Sequence, residues 1–396
     1  MKAQGHDVLS FAAGEPDFDT PQIVKDAAIE ALNKGMTKYM PTLGDPETKK
    51  VLADKLVKEN GIPTTADHIA ISAGGKHSLY VACQCLFDFP ATGEAPQEGI
   101  LPVPAWVSYA PIIEIAGGKV VEIQTDAAGD FKITPEQLKK AITHRTRAFF
   151  INSPSNPCGT MYSPAELKAL AQVIAEAAKT TAPNLVVVSD ELYEKIVYGG
   201  IEHFSIGSVP EIAERTLTIN GLSKAYAMTG WRIGYAAGSG AFGKKLIDAM
   251  GVLQGQMTTN ITSFTYPAIR TAITKTAAEV EKMRQAFAER AGVIHARLAK
   301  VPGFKCPKPT GAFYAFPDVS AHFGKTSPGG NGTAGRKINS AMDFCEALLA
   351  EQYVAFVPGE DFGGCGKNCA RISFACSIDQ INKGIDRVET FIAGLR

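Results

Sequence analysis

Between residues 68 and 219, short apolar runs rich in β-branched residues alternate with amphipathic stretches, and this alternation restricts the chain to few folds. The runs at 68–72, 99–103, 148–152, 185–189 and 216–219 are each too short for a helix and stop at polar or turn-forming residues. Helix starts lie between them. Thr134-Pro135-Glu136-Gln137 and Ser163-Pro164-Ala165-Glu166 each read as an N-cap, a proline at the first helical position, and a Gln or Glu closing a capping box. After the second, Leu167, Leu170, Val173, Ile174 and Ala177 recur at helical spacing. Thr20-Pro21 reads as the opening of another helix. Strands alternating with helices predict βαβ units, hence an α/β fold on a largely parallel sheet.

A chain of 396 residues exceeds one ordinary core, so a large domain and a smaller one are expected. The pattern changes near residue 280. A long charged helix over 277–300 precedes a strand at 312–316, then a Gly-rich loop at 326–335 expected to be exposed and mobile. A helix over 340–351, strands at 354–358 and 370–375 and a closing helix complete a small α+β domain.

Lys plus Arg and Asp plus Glu number 40 each, a balance that argues against nucleic-acid or polyanion binding and towards small metabolites. No stretch approaches the roughly 20 apolar residues of a membrane span. Residues 1–7 are polar, which points to a cytoplasmic protein. The eight cysteines are expected to stay reduced. Cys365 and Cys369 frame a Gly-rich turn, but no His or second Cys pair stands at ligand spacing, so no metal is expected.

Parallel sheets place ligand sites beyond the carboxyl ends of their strands. Asn152 to Pro157, Ser189-Asp190-Glu191-Leu192-Tyr193 and Asn220-Gly221-Leu222-Ser223-Lys224 all follow predicted strands and so converge on one pocket. A lysine, an aspartate, a tyrosine and an asparagine together suit pyridoxal phosphate (PLP). Lys224 would carry this electron sink as a Schiff base, and Asp190 would keep its pyridine nitrogen protonated. Tyr193 and Asn156 would donate to its phenolic oxygen, holding the imine proton affinity low. Ser72-Ala73-Gly74-Gly75-Lys76 lies between a strand and a helix start, where backbone N–H groups cradle phosphate.

Each residue alone has a plainer reading. A lysine after a strand is usually a solvated turn, Trp106 a core aromatic, Tyr39 simple packing, and Asn156-Pro157 or Gly74-Gly75 a turn. Glu191 is read as favourable charge at a helix start. Arg371, between apolar strand residues, requires a partner.

Combined, they resemble a known family. The segment from Asn220-Gly221-Leu222-Ser223-Lys224 through Gly230-Trp231-Arg232 to Tyr235 resembles the PLP-lysine segment of class I aminotransferases. Ala13-Gly14-Glu15-Pro16-Asp17-Phe18, residues 152–159 and Ser189-Asp190-Glu191 resemble its other hallmarks, in the family's order, across nearly the whole chain. The nearest subgroup is the bacterial aspartate aminotransferases. The resemblance implies the PLP-dependent transferase fold type I. Its large domain, at 44–285, would hold a mainly parallel seven-stranded sheet flanked by helices, and 1–43 with 286–396 would form the small α+β domain. It also implies that Lys224 shuttles the substrate proton, Arg232 grips the phosphate, Ser223 binds the cofactor, and Trp106 stacks on the ring. Arg371 would clamp the substrate α-carboxylate, Gly14 approach it by backbone, and Lys76 pair with a distal carboxylate. Tyr39, with Thr259 and Asn260, would reach a neighbouring subunit's site, which implies a homodimer with shared active sites. Relatives that accept prephenate tend to carry Thr where Ala12 stands, which argues against prephenate. The expected activity is ping-pong transfer of an amino group from aspartate to 2-oxoglutarate. The alternatives are an aromatic, prephenate, alanine or kynurenine-type aminotransferase, a lyase on the same fold, or a non-catalytic regulator or binding protein.

Overall fold

A computed structural model describes residues 1–396, with Lys2 described by its backbone alone. In chain order, β1 (Leu9–Ser10) leads to α1 (Gln22–Asn33) and α2 (Pro46–Asn60). There follow β2 (Ile69–Ser72), α3 (Gly75–Leu86), β3 (Glu98–Val103), α4 (Tyr109–Ile115) and β4 (Lys119–Gln124). Then come α5 (Pro135–Ala141), β5 (Thr146–Asn152), α6 (Pro164–Lys179), β6 (Val186–Asp190), β7 (Thr216–Gly221) and β8 (Gly234–Ala237). The remainder holds α7 (Gly240–Met257), α8 (Tyr266–Lys275), α9 (Ala277–Leu298), β9 (Tyr314–Ala315) and α10 (Ala341–Gln352). β10 (Val354–Ala355), β11 (Val357–Pro358), β12 (Ala370–Ser373) and α11 (Ile378–Ala393) close it.

The central sheet has seven strands in the order β2-β8-β7-β6-β5-β3-β4. All its pairings are parallel except those of β8, which runs antiparallel to both β7 and β2. Both faces are buried, as a parallel sheet requires. Phe149, Ile151 and Val187 pack with Leu138, Leu167, Leu170 and Ile174 of α5 and α6, whereas Ala148, Phe150, Val186 and Val188 pack on the side of α3, α4 and α7. The period-2 alternation within each run thus serves two helical layers.

Both predicted capping boxes form: Thr134 with Gln137, and Ser163 with Glu166. A third, Ser377 with Gln380, starts α11, whose Ile381, Ile385, Val388 and Phe391 are buried. Thr20 does not cap α1. Its hydroxyl donates to the Ala227 carbonyl at 2.7 Å and accepts from the Trp231 indole at 3.0 Å, so Pro21 is the cap residue.

Other expectations need correction. The run at 354–358 is two strands serving two sheets: β10 pairs with β1 and β11 with β12. The run at 312–316 shrinks to β9, because Ala312 takes a positive φ of 54°. The Gly-rich loop is exposed at its tip but tethered at its start. Buried Glu351 accepts from the Ser327 hydroxyl and, at 3.0 Å, from the Gly329 N–H, and Thr326 exchanges backbone bonds with Arg396.

A second apolar cluster joins Phe287, Ile294, Phe344, Leu348, Ile372, Phe374 and Phe391, with Leu9 and Phe11 from the N-terminal segment. Val24 and Ala28 of α1 instead pack with Leu52, Ile69 and Tyr266. No described helix is long and apolar enough to cross a membrane.

Candidate active site

The carboxyl ends of β5, β6 and β7 open on a cavity of about 390 Å³, within the ordinary range for small-molecule sites. Gly14, Gly75, Lys76, Trp106, Asn156, Asp190, Tyr193, Ser223, Lys224, Arg232 and Arg371 all line it. Gly74 adjoins it, since a Cβ there would stand 2.4 Å from the Arg232 guanidinium. Tyr39 lies outside, 88% exposed. Thr259 is exposed too, and Asn260 accepts from the Met40 N–H at 3.2 Å, close to Tyr39 in the chain.

Asp190 is the last residue of β6, paired with Asn152 of β5 and Ile219 of β7. Its carboxylate accepts the Tyr109 hydroxyl at 2.6 Å and the Leu192 N–H at 3.2 Å. Burial pushes its carboxyl up to about 6 against the pull of those two donors. Asn152 fixes the neighbouring strand end: its amide donates to the Asp190 carbonyl at 3.0 Å and accepts the Asn156 N–H at 2.8 Å.

Lys224 follows β7. Its ammonium donates to the Gly14 carbonyl and stands 5.9 Å from the ring centroids of Tyr193 and Phe313. Burial brings its amine down to about 8; Glu15 opposes the shift, and Arg371 and Arg232 add to it. Tyr193 is buried with its hydroxyl 2.9 Å from that of Tyr314.

Arg371, on β12, reaches across from the second cluster. One guanidinium nitrogen donates to Asn156 Oδ1 at 3.1 Å and another to the Ala12 carbonyl at 2.9 Å, while its buried Nε has no partner. Its guanidinium lies 4.9 Å from the Tyr314 ring centroid and 5.3 Å from that of Phe362. Lys76 holds its ammonium 4.8 Å from the Trp106 ring centroid, and Trp106 meets Tyr109 edge-on. Arg232 takes a left-handed φ of 57° and donates to the Thr229 carbonyl at 2.8 Å.

Glu191 does not start a helix. It is 2% exposed and points away from the cavity into a polar cluster. There it accepts from Ser189 at 2.9 Å and from Ser205, and meets His203 at 3.1 Å. Beside it Glu194 bonds the buried Lys55 ammonium and Asn60. Glu191, Glu194 and His203 bring their ligand atoms within 4.8 Å of one another, but Lys55 already supplies that cluster with a cation. All eight cysteines are unpaired.

Residues 6–388 match the family of class I and II aminotransferases. The chain belongs to that family. It is 42% identical over 393 residues to an aspartate aminotransferase of Geobacillus stearothermophilus, covering 99% of this chain and 93% of that one. It is 41% identical over 396 residues to an aspartate/prephenate aminotransferase of Cereibacter sphaeroides, covering 100% and 94%. The crystal structure of an aspartate aminotransferase from Rhizobium meliloti superposes with a TM-score of 0.91 at 38% identity, covering 100% and 94%.

Membership of the class I and II aminotransferases makes this a PLP-dependent transferase of fold type I, and the cavity has groups suited to that cofactor. A carboxylate raised to about 6 by burial favours a cationic partner such as a protonated ring nitrogen. Gly75 and Lys76, in the first turn of α3 where N–H groups have no carbonyl within the helix, line the same cavity as Arg232, a combination suited to phosphate. Tyr109 and Tyr314 are among the cavity-lining residues that had no role assigned from the sequence. Tyr109 lies three residues beyond Trp106, so a helical turn after an aromatic was a usable signal. Tyr314 meets Tyr193 from 121 residues away, and no local pattern announces that contact.

Proposed function

We propose that this aminotransferase moves the amino group of aspartate, or a similar L-amino acid, to 2-oxoglutarate by a ping-pong mechanism. When bound, PLP supplies an electron sink for the pair left at the substrate Cα. Lys224 would be the attachment point and then the base that takes up and returns the substrate proton. An amine brought down to about 8 is suited to such two-way transfer near neutral pH. Asp190 keeps the ring nitrogen protonated, and Tyr109 holds the carboxylate in place. Tyr193 and Asn156 donate to the phenolic oxygen. Trp106 would stack on the ring, and Arg232, Ser223 and the Gly74-Gly75-Lys76 backbone would hold the phosphate end.

Arg371 takes the substrate α-carboxylate. Its Nε has no partner, and the nitrogen on the same edge donates only to the neutral Ala12 carbonyl, an edge that a bidentate carboxylate would satisfy. Lys76 can swing from Trp106 to a distal carboxylate, which favours dicarboxylic substrates and agrees with the names of the relatives. Gly14 brings its backbone to the substrate. A homodimer completes the site through Tyr39, whose 88% exposure leaves it free to reach a neighbour. Eight unpaired thiols accord with a cytoplasmic protein.

One arrangement carries the reading: Lys224, Asp190 and Arg371, whose Nε has no partner, all border one cavity. A panel of amino donors with 2-oxoglutarate tests it. Aspartate should be among the best donors, and a visible band from bound PLP should vanish in Lys224→Ala. Strong turnover of phenylalanine or kynurenine with none of aspartate would overturn the substrate assignment.

A further inference from the structure

Tyr314, on β9, stands where three chain segments meet. Its side chain is 1% exposed. Two glycines leave room for it: a Cβ on Gly14 would stand 3.2 Å from its hydroxyl, and a Cβ on Gly159 would stand 1.9 Å from its carbonyl oxygen. Gly14 belongs to the N-terminal segment and Gly159 to the loop after β5, so both surroundings are shaped to this residue. The Arg371 guanidinium lies 4.9 Å from its ring centroid. Its hydroxyl has one polar partner among the described residues, the Tyr193 hydroxyl at 2.9 Å, and Tyr193 has no other.

Each hydroxyl carries one proton. On the functional reading above, Tyr193 donates its proton to the cofactor's phenolic oxygen, which leaves the proton of Tyr314 for the contact between the two. We propose that Tyr314 is a positioning residue whose hydroxyl donates to Tyr193, orienting and strengthening Tyr193 as donor to the cofactor's phenolic oxygen. This rests on the assignment of Tyr193 to that oxygen. The direction of the effect follows from charge. Support for the negative oxygen matters most once the Lys224 nitrogen has lost its own proton, so a stronger donor lowers the pH at which that proton leaves. Arg371 from β12, Lys224 after β7 and Asp190 at the end of β6 are the charged groups facing the pair, and Tyr314→Phe alters none of them.

The test is a pH titration of the visible band of the holoenzyme, whose midpoint reports proton loss at the Lys224 nitrogen. Loss of one neutral hydrogen bond should raise the midpoint in Tyr314→Phe by roughly half to one pH unit. Tyr193→Phe should raise it further, and Tyr314→Phe should then add nothing. Gly14→Ala, which presses on the Tyr314 hydroxyl, should shift the midpoint the same way, and it serves if Tyr314→Phe fails to retain cofactor. A wild-type band that titrates normally, with an unmoved midpoint in Tyr314→Phe or in Gly14→Ala, overturns this inference alone, as does an equal shift from Tyr314→Phe in the Tyr193→Phe background. A wild-type protein with no pH-sensitive, Lys224-dependent band overturns the functional reading and this inference together.

Discussion

At Asp190 function and stability pull in opposite directions. Without a cation against it, a carboxyl raised from 3.8 to about 6 stays protonated in the folded chain where the unfolded chain has already lost its proton. The folded state therefore binds more protons, and stability from this group falls as pH rises from about 3.8 to about 6, then stays low. Asp190→Asn should raise the stability of the cofactor-free protein by up to roughly 3 kcal/mol above pH 7 and by nothing near pH 3, while abolishing transamination. Thermal melts at the two pH values check it. Lys224 gives a second expectation. Only the neutral amine attacks an aldehyde, so the rate at which the cofactor-free protein captures PLP should climb with pH and level off above about 8. Stopped-flow absorbance reads this directly. Tyr109→Phe should retain the fold yet weaken PLP affinity, since it removes the 2.6 Å bond that holds the carboxylate in place. Equilibrium titration with PLP measures that loss.

Among the elements, the turn from Asp190 to Glu194 divides its side chains. Asp190 and Tyr193 enter the cavity, while Glu191 and Glu194 enter the polar cluster around Lys55 and Asn60. Lys55 and neighbouring cations bring the Glu194 carboxyl down to about 2 in spite of burial, so this pair supports the turn above pH 4.5 and loses that support as pH falls towards 2. Lys55→Met leaves a buried charge unpaired and should cost about 3–5 kcal/mol in a denaturant melt. At the start of α6, Ser163→Ala breaks only a capping box and should cost about 1 kcal/mol with kcat unchanged. The contrast separates a helix end that serves stability from a turn that serves the site as well. We further propose that the small domain takes β1 and Phe11 from the N-terminal segment but not α1, because Val24 and Ala28 bury themselves with Leu52 and Tyr266.

For the whole molecule, the exposed Tyr39 makes subunit sharing testable. Mixing Tyr39→Ala chains with Lys224→Ala chains, then refolding them together, should recover roughly a quarter of wild-type activity, since mixed dimers carry one intact site each. No recovery would mean that Tyr39 serves its own subunit, and full activity of the Tyr39→Ala chain alone would mean that it serves neither site.

Local chemistry made much of this protein legible before any coordinates. Capping boxes at Thr134 and Ser163, short apolar runs ending at Asn152, Ser189 and Ile219, and a glycine pair at the start of α3 act over a few residues, so they can be read along the chain. The strand ends in turn placed Asn156, Asp190 and Lys224 at one sheet edge, and the tertiary structure does gather them around one cavity. Only the tertiary structure decided the antiparallel return of β8, the split of 354–358 between two sheets, the inward burial of Glu191 and the meeting of Tyr314 with Tyr193. Those outcomes depend on which distant groups remain to satisfy a buried edge, a charge or a hydroxyl. Such partners are chosen by packing across the fold, and sequence spacing carries no trace of them.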